Sequence, residues 1–303
     1  MYYRSLNAYL RETFGCKVYK LALSAGCTCP NRDGMIGTRG CIFCSGSGEF
    51  TASASLSIPE QLAQAKRLVA AKAGPDARYI AYFQDFTNTY APAEVLRPLF
   101  AAAIRQPEVC ALSIATRPDC LGAPVMEILT RTARVKPVWV ELGVQTVHDE
   151  TAARLNRCYP TSLFFSAAEQ LAQAGLPVIA HLILGLPGET AAMMTQSVDA
   201  VCRAPVSGLK LALLHVLRGT PLEEAYHKGL VPYYSLDAYA DLLCSLLSRV
   251  PASVVLHRLT GDGDRRLLLS PLWSADKKRV LNTLKRRFLE KNVVQGSFFQ
   301  KTY

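Results

Sequence analysis

Three cysteines, Cys29, Cys41 and Cys44, share one glycine-rich stretch that begins Cys29-Pro30-Asn31-Arg32-Asp33-Gly34 and ends Gly40-Cys41-Ile42-Phe43-Cys44. No fourth thiol follows at ligand spacing. A closed structural zinc site takes four protein ligands, whereas a catalytic metal centre keeps one position open. Soft thiolates suit an iron–sulfur cluster, whose full protein ligation takes four cysteines, so three of them leave one iron for an outside ligand. A zinc ribbon, the non-enzyme alternative, needs a further Cys or His pair, and the next cysteine, Cys110, lies a whole β-α-β unit away. A phosphate loop fails for want of a Gly-Lys-Ser/Thr ending.

The remaining cysteines read differently. Cys110, Cys202 and Cys244 sit in apolar segments, where a thiol behaves as a small hydrophobe. Cys27, two residues before Cys29, reads as a neighbouring or redox-sensitive thiol. Nothing marks the chain as secreted, so clustered thiols point to metal or catalysis before disulfides. The N-terminal segment lacks the basic, apolar and small-residue pattern of a secretory signal. No apolar run is long enough to cross a bilayer; the one from Val178 is interrupted by His181 and Gly185. A cytosolic setting without membrane attachment is the expectation.

The elements that must position the thiols follow from the pattern. With 303 residues, half of them hydrophobic, the chain can bury one large core. Short β-rich segments alternate with helical ones: strands at 17–25, 79–84, 110–116, 138–145, 178–185 and 209–216, with a helix over 58–72 that has Ser57 as N-cap and Pro59 in its first turn. That order predicts repeated β-α units and a parallel sheet. Each unusual polar segment occurs where a strand ends: the cysteine loop, Gln84-Asp85, Thr116-Arg117-Pro118, Gln145 and Gly185-Leu186-Pro187-Gly188. Ligands gather at the carboxyl ends of parallel strands, so these segments should share one pocket. The net charge of +10 is partly concentrated near the end, where Lys277, Lys278, Arg279, Lys285, Arg286, Arg287 and Lys291 punctuate an apolar stripe. That is an amphipathic basic helix, either a solvated surface element or a contact for a polyanion.

The three-cysteine loop with Phe43 before its last cysteine resembles the radical S-adenosylmethionine (SAM) enzymes. Cys29-Pro30-Asn31-Arg32-Asp33-Gly34, Tyr82-Phe83-Gln84, Thr87-Asn88-Thr89-Tyr90-Ala91-Pro92, Thr116-Arg117-Pro118-Asp119 and Gly185-Leu186-Pro187-Gly188-Glu189-Thr190 resemble the YhcC/YtqA family, in the branch of the Elongator-subunit-three enzymes. Ser45-Gly46-Ser47-Gly48-Glu49-Phe50 resembles the members of MnmL type that modify the tRNA wobble uridine. The resemblance implies an α/β fold, an incomplete (β/α)6 barrel over 1–270 with its cluster loop at 27–50, and a short basic helical extension over 271–303. It implies a 4Fe-4S cluster on Cys29, Cys41 and Cys44, and SAM held by Phe43, Gln84, Asp85, Gln145, Arg157 and Ile183. It implies reductive cleavage of SAM to a 5′-deoxyadenosyl radical, an electron donor that the sequence does not identify, and tRNA as partner, the reaction converting a 5-carboxymethylaminomethyl group to 5-aminomethyl. A small-molecule or peptide substrate, and a non-catalytic metal-stabilised nucleic-acid-binding protein, are the alternatives. Where the family has Asn-Arg-Gly-His this chain has Asn156-Arg157-Cys158-Tyr159, and Gln84-Asp85 replaces a glycine-rich segment. His181 reads as a core histidine or a cofactor or substrate contact.

Overall fold

The computed structural model describes residues 2–46, 51–261 and 263–299. The first half of the chain runs α1 (Leu6–Phe14), β1 (Val18–Leu23), α2 (Ile58–Val69), β2 (Arg78–Phe83), α3 (Ala93–Ile104), β3 (Val109–Thr116), α4 (Ala123–Ala133) and β4 (Val138–Gln145). The second half follows with α5 (Asp149–Arg154), α6 (Thr161–Gln173), β5 (Val178–Leu184), α7 (Ala191–Arg203), β6 (Gly208–Leu213), β7 (Val216–Leu217), α8 (Pro221–His227), α9 (Leu236–Leu247), β8 (Val255–Arg258), β9 (Leu268–Ser270) and α10 (Lys277–Glu290). Strands β1 to β6 pair in sequence order, all parallel, and β8 joins beyond β6. The six expected strands are therefore present in a curled, partial-barrel sheet that is one strand wider. The seventh escaped notice because only Val254-Val255-Leu256 is apolar before His257 and Arg258 interrupt the run.

Side chains alternate across a strand, so each strand serves two environments. On the outer face Leu21, Phe83, Leu112, Leu142, Leu182 and Leu211 pack under the helices in one continuous core. Helix α2 starts at a capping box between Ser57 and Glu60 and buries Ile58, Leu62 and Ala65, which recur on one helical face. The expected basic helix is α10; it buries Val280, Leu284 and Phe288, packs on α9 and sets Phe288 against Tyr2 and Tyr3.

The inner face is layered. At the base Val18, Ile80, Ala111, Trp139 and Ile179 form an apolar cluster with Leu10 of α1, and α1 contacts both β1 and β8. That helix therefore caps the N-terminal end of the curled sheet. Two residues further along the strands the side chains turn polar: Lys20, Ser113, Glu141, His181 and Lys210 are linked by hydrogen bonds, and Tyr82 joins through Lys210. Above them Ala115, Gly143 and Ala212 leave space, and a cavity of about 650 Å³ opens toward the carboxyl ends of the strands.

Candidate functional site

Cys29, Cys41 and Cys44 all line this cavity, as do Phe43, Gln84, Asp85, Gln145, Arg157 and Ile183. The sheet thus brings together in one space every residue that the resemblance assigned to the cluster or to SAM, whereas Gly185-Leu186-Pro187-Gly188, also expected in the pocket, does not line it. The cysteine loop is held by its own polar groups. Tight turns follow Cys29, whose carbonyl accepts from the Arg32 and Asp33 amides at 2.8 and 3.2 Å, and Arg32 reaches the Cys44 carbonyl at 2.5 Å. The Asn31 amide nitrogen lies 3.8 Å from Cys41 Sγ and donates to the Asn156 carbonyl at 2.5 Å. Asn156 in turn donates to the Gly40 carbonyl at 2.7 Å. The loop is therefore tied to the segment after α5, and Phe43 packs with Leu155 and Leu186. Cys27 instead packs against the main core. Of the segment from Ser45 to Phe50, residues 47–50 lie outside the described residues.

The end of β4 is shaped by a glycine. A Cβ on Gly143 would meet Gln145 Nε2 at 2.5 Å, so only glycine lets that side chain occupy its place. Gln145 has left-handed backbone, φ 57°, and its Oε1 accepts from the Tyr159 hydroxyl at 3.2 Å, which also donates to the Gly143 carbonyl at 2.6 Å. Burial raises the Tyr159 pKa, so the phenol stays a donor. Tyr159 was not foreseen as a site residue; the signal available was an aromatic where the family has histidine. Its neighbour Cys158 has φ 62°, a left-handed conformation that glycine adopts without steric cost, which explains the family's glycine at this position.

Arg157, expected as a SAM contact, lines the cavity with its side chain already engaged by the protein. Its guanidinium is wholly buried. Nε donates to the Tyr159 carbonyl, Nη1 to the Val144 and Thr146 carbonyls, and Nη2 to Asp149, Tyr159 and Thr161. A guanidinium has five N–H donors, and five acceptors already surround this one. Its work in this arrangement is to fix the β4 end and the Tyr159 ring, over which it stacks at 4.5 Å. Arg117 stacks on the same ring at 4.8 Å and is paired with Asp119 through two hydrogen bonds.

The polar layer forms the cavity floor. Glu141 is fully buried and accepts from Lys20, Lys210, Ser113 at 2.5 Å and His181 at 2.7 Å. Burial alone would raise this carboxyl, but the Lys20 and Lys210 charges outweigh it and hold the pKa well below the usual range. Burial, aided by the Lys210 charge, pushes His181 down to about 4, so the imidazole is neutral. Burial also pushes Lys210 down to about 7, against the pull of Glu141. Lys210 escaped the sequence reading because Gly208-Leu209-Lys210-Leu211-Ala212-Leu213 looks like a buried strand; the signal was one cation inside an apolar run.

Residues 34–201 match the Radical SAM superfamily, and residues 206–290 the Radical_SAM C-terminal domain. The chain belongs to the radical SAM superfamily. It is 42% identical to YtqA of Bacillus subtilis over 301 residues, covering 99% of this chain and 93% of that one. A more distant relative, a tRNA uridine(34) acetyltransferase of Methanocaldococcus jannaschii, is 26% identical over 188 residues, which is 61% of this chain and 34% of that protein. Among solved structures, the archaeal Methanocaldococcus infernus Elp3 superposes with a TM-score of 0.69 at 16% identity, covering 92% of this chain and 64% of that one. That likeness shows the fold.

Radical SAM enzymes use a 4Fe-4S cluster and SAM, and these are the cofactors of this protein. The donor set fits them. Among the described residues no three His, Cys, Asp or Glu side chains converge tightly enough for a single ion. Cys29, Cys41 and Cys44 line one cavity together, and soft thiolates of that kind would hold an iron–sulfur cluster. Among the described residues no helix is long and apolar enough to cross a membrane.

Proposed function

We propose that this protein is a cytosolic radical SAM enzyme acting on the wobble uridine of tRNA, converting a 5-carboxymethylaminomethyl group to 5-aminomethyl. The observation that carries the reading is that one cavity joins the three-thiol loop, Gln145 and a charged floor, with small side chains between them. Cys29, Cys41 and Cys44 hold the cluster in this reading and leave one iron open for SAM. When bound, the cofactors supply a one-electron cleavage that yields a hydrogen-abstracting radical. The chain's own part is to hold and exclude. Gln145, fixed by Tyr159 and given room by Gly143, meets the SAM ribose or carboxylate; Phe43 and Ile183 flank the adenine; Gln84 and Asp85 meet the amino group, Asp85 being already oriented by Thr51 at 2.8 Å. The apolar base under α1 keeps water from entering beneath.

The tRNA assignment is supported by the relationship to the tRNA uridine(34) acetyltransferase and by the net charge of +10. It does not draw on all of α10. Arg286, Arg287 and Lys291 pair with Asp237 and Asp241 of α9, a pattern that favours a small-molecule or peptide substrate as the second reading. The deciding experiment is anaerobic reconstitution followed by incubation with SAM, a reductant and tRNA from cells lacking this activity, with nucleoside mass spectrometry. Formation of 5-aminomethyluridine supports the proposal. SAM cleavage with no change in any tRNA nucleoside rejects it for the second reading.

A further inference from the structure

Of the opening motif Cys29-Pro30-Asn31-Arg32-Asp33-Gly34, the site described so far uses the cysteine for chemistry and leaves the asparagine without a role. Asn31 is wholly buried, and its amide sits between the cysteine loop and the segment after α5. The amide nitrogen carries two N–H bonds. The Asn156 carbonyl accepts from it at 2.5 Å, and Cys41 Sγ, a larger and more diffuse acceptor, lies at 3.8 Å. Chemistry fixes this orientation, since a reversed amide would set its oxygen against the Asn156 carbonyl oxygen. The Asn31 Oδ1 lies against Gly37, where a Cβ would meet it at 2.6 Å, so glycine at 37 leaves the amide its place. Among the described residues Oδ1 has no hydrogen-bond partner. A buried acceptor left unpaired costs stability, so an amide is an expensive choice for a tie between two segments. Other bonds already make that tie: the Gly40 amide donates to the Asn31 carbonyl at 2.7 Å, and Asn156 Nδ2 donates to the Gly40 carbonyl at 2.7 Å. What the Asn31 side chain adds is an N–H beside the sulfur of Cys41.

We propose that Asn31 is a positioning residue that sets the reduction potential of the cluster, donating an N–H to the Cys41 sulfur and so easing one-electron reduction. Reduction makes a cluster and its thiolates more negative, and hydrogen bonds to the sulfurs are among the levers that set its potential. The arginines near the thiols are engaged elsewhere. Arg32 donates to the Cys44 carbonyl, and Arg117 to Asp119 and the Arg157 carbonyl. Gly37 serves the same end as Asn31, because a side chain there would push the amide away from its present contacts. The inference rests on the ligand set of the proposed function and not on its substrate.

The test uses the anaerobically reconstituted protein without substrate. Iron content and a redox titration followed by electron paramagnetic resonance are measured for wild type, Asn31→Leu, Gly37→Ala and Asn156→Gly. Leucine keeps the branched shape and removes both N–H bonds. Asn156→Gly is the control for a slackened loop: glycine accepts the left-handed φ of 56° and keeps the main-chain acceptor for Asn31, while the bond to the Gly40 carbonyl is lost. Asn31→Leu should hold full iron with a midpoint lower by about 59 mV, a tenfold change in the ratio of reduced to oxidised cluster at fixed potential for a one-electron couple. Gly37→Ala should shift in the same direction, and Asn156→Gly should titrate as wild type. A wild-type midpoint in Asn31→Leu, or an equal fall in Asn156→Gly, overturns the tuning role. Should Asn31→Leu lose its iron, Gly37→Ala carries the test, and its wild-type midpoint or its own loss of iron overturns the proposal. Cys41→Ala separates this inference from the reading beneath it. Full iron in that variant removes Cys41 from the ligand set, whereas loss of iron there with no shift in Asn31→Leu removes this inference alone.

Discussion

Replacing Arg157 by alanine separates a ligand contact from a structural one. In the structure the side chain supplies hydrogen bonds to the carbonyls of Val144, Thr146 and Tyr159 and to Asp149 and Thr161. Each buried acceptor left without a donor costs about 1–3 kcal/mol. Truncating one partner of a buried charged network costs about 3–5 kcal/mol, part of it offset because the guanidinium no longer has to be desolvated. A loss of about 4 kcal/mol is therefore expected, a large share of the roughly 5–15 kcal/mol by which a folded domain is stable. Arg157→Lys keeps the charge but not the planar fork and should lose about half as much. The assay is urea unfolding of the cofactor-free protein followed by circular dichroism, where the midpoint should fall with an unchanged slope. An Arg157→Ala protein within about 1 kcal/mol of wild type that nevertheless no longer binds SAM would refute the structural role and restore Arg157 as a cofactor contact.

Cys29→Ala, Cys41→Ala and Cys44→Ala should each abolish the cluster, measured as iron content and visible absorption after anaerobic reconstitution, whereas Cys27→Ala, in the core, should retain it; full iron in the Cys29 variant would overturn the ligand set. Gly143→Ala should weaken SAM binding with iron unchanged, because the new methyl displaces Gln145 Nε2; wild-type affinity by calorimetry in both this variant and Gln145→Ala would remove Gln145 from the site. In the unfolded chain histidine takes up a proton near pH 6.5, but folded His181 does so only near 4, so acid favours unfolding between those values. His181→Gln should therefore flatten the fall in stability from about pH 6.5 to 4, with His257, also held low by burial, and the lowered carboxyls of Glu141 and Asp149 contributing to the slope that remains. On α10, Lys278→Gln and Lys285→Gln should lower the salt dependence of tRNA binding by up to roughly 0.7–0.9 log units per lost phosphate contact. Arg286→Gln should leave it alone, since Arg286 already pairs with Asp237 and Glu290.

Strands β1 to β6 were readable because each is an apolar run, and the cysteine loop, Gln84-Asp85, Thr116-Arg117 and Gln145 that close four of them fall on the cavity, while Gly185-Leu186-Pro187-Gly188 does not. The three thiols were singled out by their shared glycine-rich stretch and, for Cys29 over Cys27, by the family resemblance; all three line the cavity, and the YhcC/YtqA resemblance agrees with the identity to YtqA. Arg157 shows where a motif stops short: spacing brings it to the cavity wall, but only the coordinates reveal the backbone carbonyls that surround it. Lys210 and Tyr82 show the opposite failure. A charged or hydroxyl residue inside a hydrophobic strand gives no sign of its partners, because Glu141 meets Lys20 and Lys210 only across the inner face of the curled sheet, from strands that are not neighbours. Similarly the basic stripe of α10 was plain, but its neutralisation by Asp237 and Asp241 depends on how α10 lies on α9.

Among the described residues, the apolar base beneath the polar layer, with Leu10 of α1 packed into it, closes the amino end of the strands and leaves the carboxyl end for traffic. Traffic through that end imposes an order on events when a macromolecule sits over it. On the proposed tRNA reading, SAM has to enter before the tRNA covers the mouth, and its cleavage products can leave only after the tRNA lifts away. Steady-state kinetics should therefore be sequential and ordered, with SAM first. Excess tRNA bound ahead of SAM should inhibit the reaction, and 5′-deoxyadenosine should compete with SAM and not with tRNA.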